Sequence, residues 1–222
     1  MSTASASHVP PRHVPVVPVM RRPSPVDPAP GAWAVVGLGA HGQAMRAALA
    51  RAGVPTLGYD EVEGIGVPDG SIRWGHRVIA IEEIDDIDAL AVTSRDVATG
   101  EITTEYLAGV VLSVGGYDEW HFIDPDMLNV CDGRPVLAHR MFTPRHPAVV
   151  VSGPDVTAGL DRQAEVVAAY AGALRTSPRR ALAFHRRACA RLLPGYPRVT
   201  TDPVAGQDYD TVLSHDLQSL IP

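Results

Sequence analysis

The sequence lacks lysine entirely, because all 19 of its basic residues are arginine. This absence excludes chemistry that needs a lysine amine, such as Schiff-base catalysis and the Walker-type phosphate-binding loop. Cysteine is also scarce. The two cysteines, Cys131 and Cys189, form neither a CxxC pair nor a paired-histidine pattern. We therefore expect neither a disulfide framework nor a metal site, and a reduced, cytoplasmic protein.

Long apolar runs are missing as well. No stretch approaches the roughly 18 apolar residues that a membrane span needs, so no membrane association is predicted. Residues 1–30 contain eight prolines, which interrupt both a helix and the apolar centre of a signal peptide. We predict a disordered or polyproline-like tail over residues 1–31, with a docking arm for a proline-reading partner as the alternative. A single domain is expected over residues 32–222.

Charge is divided unevenly along the chain. Residues 60–133 hold 17 acidic residues against 3 arginines, whereas residues 134–198 hold 11 arginines against 3 acidic residues. The first segment would repel nucleic acid, and the second favours a solvated helix face, so no nucleic-acid binding is predicted. Neutralisation within one molecule is the simpler account, and contact between the two segments of a homo-oligomer is the alternative.

A glycine-rich loop stands between a predicted strand and a predicted helix. Residues 33–36 predict a short buried strand, and residues 43–52 place apolar side chains on one helix face. Residues 56–59 predict a second strand. The loop reads Gly37-Leu-Gly-Ala-His-Gly42, which matches the GxGxxG pattern of dinucleotide-binding sites in its usual strand-loop-helix setting.

Each position of this loop has an expected role. Gly37 would permit the tight turn, Gly39 would let the backbone approach a pyrophosphate, and Gly42 would let the helix and strand pack closely. The pyrophosphate would lie on the N-terminus of the helix, beside Ala40 and His41. An ordinary glycine-rich turn is the alternative.

Three further side chains bear on this predicted site. Asp60, 23 residues after Gly37, would accept hydrogen bonds from a ribose diol. His41 is larger than the residues usual at its position, and it either donates to phosphate or lies exposed. Arg46 stands where a small residue normally lets the helix lie against the sheet, so it either extends outward or weakens the site.

The remaining sequence predicts a second sheet and then a return to the first. Residues 72–114 favour an antiparallel β meander, but their last part, residues 110–114, is an apolar run that predicts a buried parallel strand. A further buried strand is predicted over residues 148–151. A helix is expected to begin near residue 157.

The predicted fold class is therefore α/β. It combines a Rossmann-like parallel central sheet with an antiparallel β meander and C-terminal helices, and the helical extension begins at about residue 177. Gly115 and Gly153 follow the two later parallel strands, where a ligand would lie. Asp155 is placed to cap the helix after the second of them.

The order of these segments resembles the flavin-containing monooxygenases and the related Baeyer–Villiger enzymes. Val35-Val-Gly-Leu-Gly-Ala-His-Gly42 resembles their FAD-binding loop, and Val110-Val-Leu-Ser-Val-Gly-Gly-Tyr117 resembles their strand that ends in Ala-Thr-Gly-Tyr. His139-Arg-Met-Phe-Thr-Pro-Arg-His-Pro147 is similar to their His-x-Phe-x-Pro segment. Asp161-Arg-Gln-Ala164 is similar to the Glu-x-Gln-Ala that opens a helix.

The resemblance implies an FAD site and no catalytic residue. The implied cofactor-binding residues comprise the glycines and the acid of the first motif together with four later positions: Gly37, Gly39, Gly42, Asp60, Gly115, Gly153, Asp155 and Gln163. Family members also carry an inserted NADPH domain with its own glycine pattern. Here Gly115 follows Asp60 by 55 residues and no second pattern occurs, so the resemblance implies that this domain is missing.

Three functions remain open. The first is a compact FAD-dependent oxidoreductase, either a monooxygenase or an oxidase. It would act on an organic small molecule and receive electrons from a separate reductase or from its substrate. The second is a non-catalytic partner or regulatory subunit descended from such an enzyme. The third is a Rossmann protein that binds NAD, for which the sequence offers no hydride-transfer residues.

Overall fold

The computed structural model describes residues 28–62, 70–84, 88–113, 120–131, 134–152, 160–192 and 209–220. The described strands are β1 (Trp33–Val36), β2 (Thr56–Asp60), β3 (Ile72–Trp74), β4 (His76–Ile84), β5 (Ala89–Asp96), β6 (Ile102–Leu107), β7 (Gly109–Leu112), β8 (Val130–Cys131), β9 (Arg134–Pro135) and β10 (Val149–Val151). The described helices are α1 (Ala40–Arg51), α2 (Pro125–Leu128), α3 (Leu160–Thr176), α4 (Pro178–Cys189) and α5 (Tyr209–Leu220).

A five-stranded parallel sheet forms the centre of the molecule, in the order β10-β7-β1-β2-β3. Every residue of β1, β7 and β10 is buried, which fits a parallel sheet that is covered on both faces. Such strands were predicted over residues 110–114 and 148–151, and β7 and β10, which overlap these ranges, pair in parallel as expected.

The meander is smaller than the sequence predicts. Residues 72–74 were assigned to the antiparallel region, but β3 pairs in parallel with β2 and is the edge strand of the large sheet. A three-residue strand is too short to show a periodicity, and Gly75, with φ +71°, turns the chain immediately after it. The antiparallel sheet consists of β4, β5 and β6.

The side chains of the parallel strands alternate between two buried layers. Trp33 and Val35 of β1 pack with the helices, whereas Ala34 and Val36 pack with the meander. The same division holds along β7 and β10. The architecture is therefore three-layered, with helices on one face of the parallel sheet and the antiparallel sheet on the other.

The C-terminal helices close the helical layer. α4 buries Ala181, Phe184 and Cys189, while Arg186 and Arg187 lie exposed on its opposite face, so the predicted solvated arginine face is confirmed there. α3 is described from Leu160, and the position near residue 157 where its start was predicted lies outside the described residues. Among the helices that the structure describes, none is long and apolar enough to cross a membrane.

Candidate functional site

A pocket of about 600 Å³ opens at the carboxyl ends of β1, β2 and β7. Its wall includes Val36, Gly37, Asp60, His76 and Ser113. The chain leaves β1 toward β2 on one side and reaches β7 on the other, so the order of strands reverses at β1. Open parallel sheets bind ligands at such a reversal.

The glycine-rich loop has the geometry predicted for two of its glycines. Gly37 adopts φ +84°, a conformation that favours glycine, and its N–H donates to the Tyr59 carbonyl at 2.9 Å. A Cβ atom added to Gly42 would lie 1.8 Å from the Gly37 carbonyl oxygen. A Cβ added to Gly39 would meet nothing within 4 Å. Gly37 and Gly42 are thus required by the fold, whereas Gly39 faces open space.

The N-terminus of α1 is free to meet an anion. The helix begins at Ala40, three residues before the predicted start, and its N-cap residue is Gly39, which has no side chain to cap it. The first turn holds no acidic residue. Ala40 is exposed and His41 is half-buried. The positive end of the helix dipole and its free amide groups therefore fit a phosphate.

Asp60 has a second role that the sequence did not reveal. Its Oδ2 accepts a hydrogen bond from the Leu38 N–H at 2.6 Å, and its Oδ1 accepts one from the Val62 N–H at 2.9 Å. The carboxylate therefore ties the glycine-rich loop to the end of β2. Each oxygen retains a lone pair, so Asp60 can also accept from a ribose hydroxyl, as its predicted role requires.

Ser113 is the polar group that sequence reasoning passed over. It follows β7 and lines the pocket, and its Oγ is buried without a hydrogen-bond partner. Such a hydroxyl costs about 1–3 kcal/mol unless something satisfies it. Its position directly after an apolar run was the available sign in the sequence. A polar ligand in the pocket would supply the missing partner.

The side chains of Arg77 and His76 lie on the meander side of the pocket. Arg77 forms a two-pronged ion pair with Glu61, with both nitrogen–oxygen distances 2.7 Å. His76 places Nδ1 3.3 Å from Ser94 Oγ, and its Nε2 lies 3.7 Å from Asp96 Oδ2. The Arg77–Glu61 pair is half-exposed and contributes little to stability by itself, but it borders the opening.

A buried polar cluster supports the pocket from below. The Tyr59 hydroxyl donates to Glu105 of β6, and Arg73 of β3 donates to the same carboxylate, with Nε 3.1 Å from Oε1. Burial, reinforced by the charge of Glu105, raises the pKa of Tyr59 far above its usual value, so the hydroxyl stays protonated. The cluster fixes the end of β2 against the meander.

The other predicted site residues have separate positions. Gln163 is fully buried, and its Oε1 lies 3.5 Å from Ser152 Oγ at the end of β10. Its predicted contact with the cofactor stays a prediction. Gly115, Gly153 and Asp155 lie outside the described residues.

Arg46 and His139 make contacts that explain their positions. The Arg46 guanidinium donates to Ser71 Oγ, so the side chain reaches the connection between β2 and β3. His139 adopts φ +49° in a tight turn, and its Nδ1 contacts the buried carboxylate of Asp216 in α5. These contacts hold elements together outside the pocket.

Cys189 and His185 lie together on the buried face of α4. His185 Nε2 donates to the Thr143 carbonyl at 2.8 Å and lies 3.6 Å from Cys189 Sγ. Burial raises the pKa of Cys189 to about 12, so the thiol is protonated and unreactive. Within the described residues, no three side chains of histidine, cysteine, aspartate or glutamate form a metal-binding group.

No protein-family model and no curated protein matches the sequence. The structure is similar to S-allyl-L-cysteine S-oxygenase from Allium sativum, with a TM-score of 0.56, 10% identity, and coverage of 84% of this chain and 88% of that chain. The bacillithiol disulfide reductase from Bacillus cereus aligns at a TM-score of 0.34 and 13% identity, over 40% of each chain.

The FAD-bound cadaverine monooxygenase from Erwinia amylovora aligns at a TM-score of 0.32 and 13% identity, over 37% of this chain and 35% of that chain. These last two alignments are too partial to establish a shared fold. The similarity to the S-oxygenase covers most of both chains. It confirms the predicted α/β fold, with its parallel sheet, its meander and its helices.

Proposed function

We propose that this chain is a compact flavoprotein that binds FAD and acts as an oxidoreductase on a small organic molecule. The observation that carries the proposal is the proximity of two features at one edge of the sheet, joined by the hydrogen bond from the Leu38 N–H to Asp60. The uncapped N-terminus of α1 fits a pyrophosphate, and the Asp60 carboxylate beside it fits a ribose diol. A dinucleotide contains both groups as directly linked neighbours.

Different residues at this edge of the sheet would hold different parts of the cofactor. The backbone of Gly37 to Gly42 would hold the pyrophosphate, Asp60 would hold the ribose, and Ser113 would gain the hydrogen-bond partner that it lacks. Because the chain has no lysine, backbone N–H groups and the helix dipole carry the phosphate interaction. FAD, when bound, would supply two-electron transfer and reactivity toward oxygen.

The reaction class follows from similarity. The sequence resembles flavin-containing monooxygenases, and the protein with a similar fold is named for oxygenation of a sulfur compound. Oxidation or oxygenation of a small organic molecule is therefore the proposed reaction. Electrons would come from a separate reductase or from the substrate, since the sequence has no second glycine-rich nucleotide motif.

Titration of the purified, flavin-free protein with FAD, FMN and NADH tests this proposal. We expect FAD to bind with a visible flavin spectrum and FMN to bind much more weakly, because FMN lacks the adenosine ribose that Asp60 would recognise. The absence of FAD binding below millimolar concentration would contradict the proposal. Binding of NADH in preference to FAD would assign the site to NAD instead.

Ser113→Ala gives a sharper test because its two effects have opposite signs. The variant should bind FAD roughly three- to tenfold more weakly, which corresponds to one lost hydrogen bond. Without FAD, the same variant should be at least as stable as the native chain, since it removes an unsatisfied buried hydroxyl.

Thr143→Val is the matched control for Ser113→Ala. The Thr143 hydroxyl is also buried, but it donates to the His146 carbonyl at 2.9 Å. It lies near the first residue of β10, at the end of the parallel sheet opposite to Ser113. Its loss should lower the free energy of unfolding and leave the affinity for FAD unchanged. Equal effects of the two variants on FAD affinity would show that Ser113 is not a ligand contact.

A further inference from the structure

The outer strand of the meander has an unpaired edge. β6 pairs with β5 on one side, and none of the described elements pairs with its other side. Natural edge strands are usually protected by proline, by exposed charge or by a bulge. β6 reads Ile-Thr-Thr-Glu-Tyr-Leu, and its one charged residue, Glu105, points inward to Arg73 and Tyr59. The edge therefore has no proline, no exposed charge and no bulge in its pairing with β5, and its inward-pointing charge is neutralised by Arg73.

The hairpin between β5 and β6 fixes which backbone groups face outward. The Asp96 N–H donates to the Glu101 carbonyl at 2.8 Å, and such hydrogen-bonded pairs recur at every second residue of an antiparallel ladder. The odd-numbered residues of β6 therefore direct their backbone groups toward β5. The even-numbered residues direct theirs toward solvent: Ile102, Thr104 and Tyr106.

The side chains of the same three residues share the outer face of the sheet. Thr104 Oγ1 lies 2.9 Å from Thr93 Oγ1 on the neighbouring strand, which places both on that face. Ile102 and Tyr106 are 55% and 60% exposed, among the most exposed large apolar side chains of the described residues. One strand thus presents both unpaired backbone groups and exposed apolar side chains.

We propose that β6 pairs with β6 of a second copy of this chain, in antiparallel orientation, about a two-fold axis at Thr104. Two three-stranded meanders then become one six-stranded sheet. In this register Ile102 faces Tyr106 of the partner subunit, and Thr104 faces Thr104 of the partner subunit. Each facing pair exchanges two backbone hydrogen bonds.

The strand is self-complementary in this register, which favours a second copy over another partner. An aliphatic side chain faces an aromatic one twice, and two threonines face each other on the axis; such cross-strand pairs are favourable. Glu105 adds no repulsion, because its carboxylate is held by Arg73 on the inner face. Such a small interface predicts a dimer that dissociates on dilution. The proposal is independent of FAD binding.

Sedimentation velocity over a range of protein concentrations tests the pairing. The native chain should convert from monomer to dimer as its concentration rises. Thr104→Lys and Thr104→Glu should each remain monomeric where the native chain is dimeric, because like charges then face each other across the axis. An equimolar mixture of the two variants should regain the dimer, since opposite charges now meet.

Two further measurements keep the test specific to β6. Ile102→Lys should weaken the dimer, whereas Val97→Lys, in the adjacent turn and 58% exposed, should leave it unchanged. In hydrogen exchange, the amides of Ile102, Thr104 and Tyr106 should become protected only at high concentration.

Three results would overturn the proposal. These are a native chain that stays monomeric at every concentration, dimers that persist in both Thr104 variants, and a mixture of the two variants that stays monomeric.

Discussion

The two ends of the parallel sheet are built in different ways. At the carboxyl end, the pocket is lined by residues that include Gly37, Asp60 and His76, the start of α1 lies beside it, and the Ser113 hydroxyl there has no hydrogen-bond partner. At the amino end, a second pocket of about 390 Å³ is lined by residues that include Trp33, Leu90 and His146. The difference lies in which polar groups are left unsatisfied.

Several buried polar groups at the amino end are paired within the protein. Thr143 donates to the His146 carbonyl, Tyr170 donates to the Pro147 carbonyl at 2.8 Å, and the Ala148 N–H donates to His146 Nδ1 at 3.2 Å. These hydrogen bonds satisfy buried groups without a ligand. At the carboxyl end the buried Ser113 hydroxyl lacks such a partner, so of the two pockets it is the one prepared for a polar ligand.

Gly42→Ala is expected to disturb the carboxyl end of the sheet more than any other variant. Its methyl group would lie 1.8 Å from the Gly37 carbonyl oxygen, so the loop or the helix must move. Backbone cannot yield as a flexible side chain does, and we expect a loss of about 1–3 kcal/mol in the free energy of unfolding together with loss of FAD binding. Chemical denaturation and FAD titration measure the two effects.

Two other glycines provide controls for Gly42→Ala. Gly39→Ala meets open space and should fold normally, so a weaker affinity for FAD in this variant would report close approach of the cofactor alone. Gly172→Ala, inside α3 and also in open space, should stabilise the protein by about 0.5–1 kcal/mol. If Gly42→Ala behaved like Gly172→Ala, the proposed tight packing at the loop would be wrong.

Asp60→Asn should lower stability by a similar amount and weaken FAD binding without abolishing it, so its effect on affinity is smaller than that of Gly42→Ala. The amide keeps the shape of the carboxylate but replaces one accepting oxygen by a donor, so one of the bonds to Leu38 and Val62 is lost. We expect a loss of about 1–3 kcal/mol in stability, with weaker FAD binding. Calorimetric titration and thermal unfolding measure both.

Asp124→Asn is the control for Asp60→Asn. The Asp124 carboxylate accepts from the Asp126 N–H at 2.9 Å on an exposed turn, and it caps the short helix α2. This variant should lose a little stability and retain its affinity for FAD. An unchanged affinity in Asp60→Asn as well would leave Asp60 with its loop-anchoring role alone.

The carboxyl end was largely predictable because its requirements are local. A turn with positive φ at Gly37 and a close contact at Gly42 each demand glycine, and the demand is visible within six residues of sequence. The start of α1 was placed three residues late because its first turn, Ala40 to Gly42, carries no amphipathic pattern. Periodicity detects a helix only where one face is buried.

Features that depend on distant residues were not predictable. The carboxylate of Asp60 reaches Leu38 across 22 positions, and β3 joins the parallel sheet only because β2 lies beside it. The isolation of the Ser113 hydroxyl depends on which atoms surround it in three dimensions. The amino-end pocket brings together several separate elements, and no motif in the sequence marks it.

At the amino end, we expect a small effect of pH on stability and no effect on FAD binding. Burial lowers the pKa of His146, although Glu83, with an oxygen 3.5 Å from Nε2, opposes the shift. The unfolded chain therefore binds this proton more readily than the folded chain does. Stability should be full above about pH 6.5 and should fall as the pH drops below it, with a slope of at most about 1.4 kcal/mol per pH unit for one proton.

His146→Gln should make this pH dependence shallower without changing the affinity for FAD at neutral pH. It should not abolish the dependence, because burial also lowers the pKa of His185, which stays in place. Denaturant unfolding at several pH values between 5 and 7.5 measures the slope. An unchanged slope in the variant would mean that His146 titrates alike in the folded and unfolded states, and that burial does not lower its pKa.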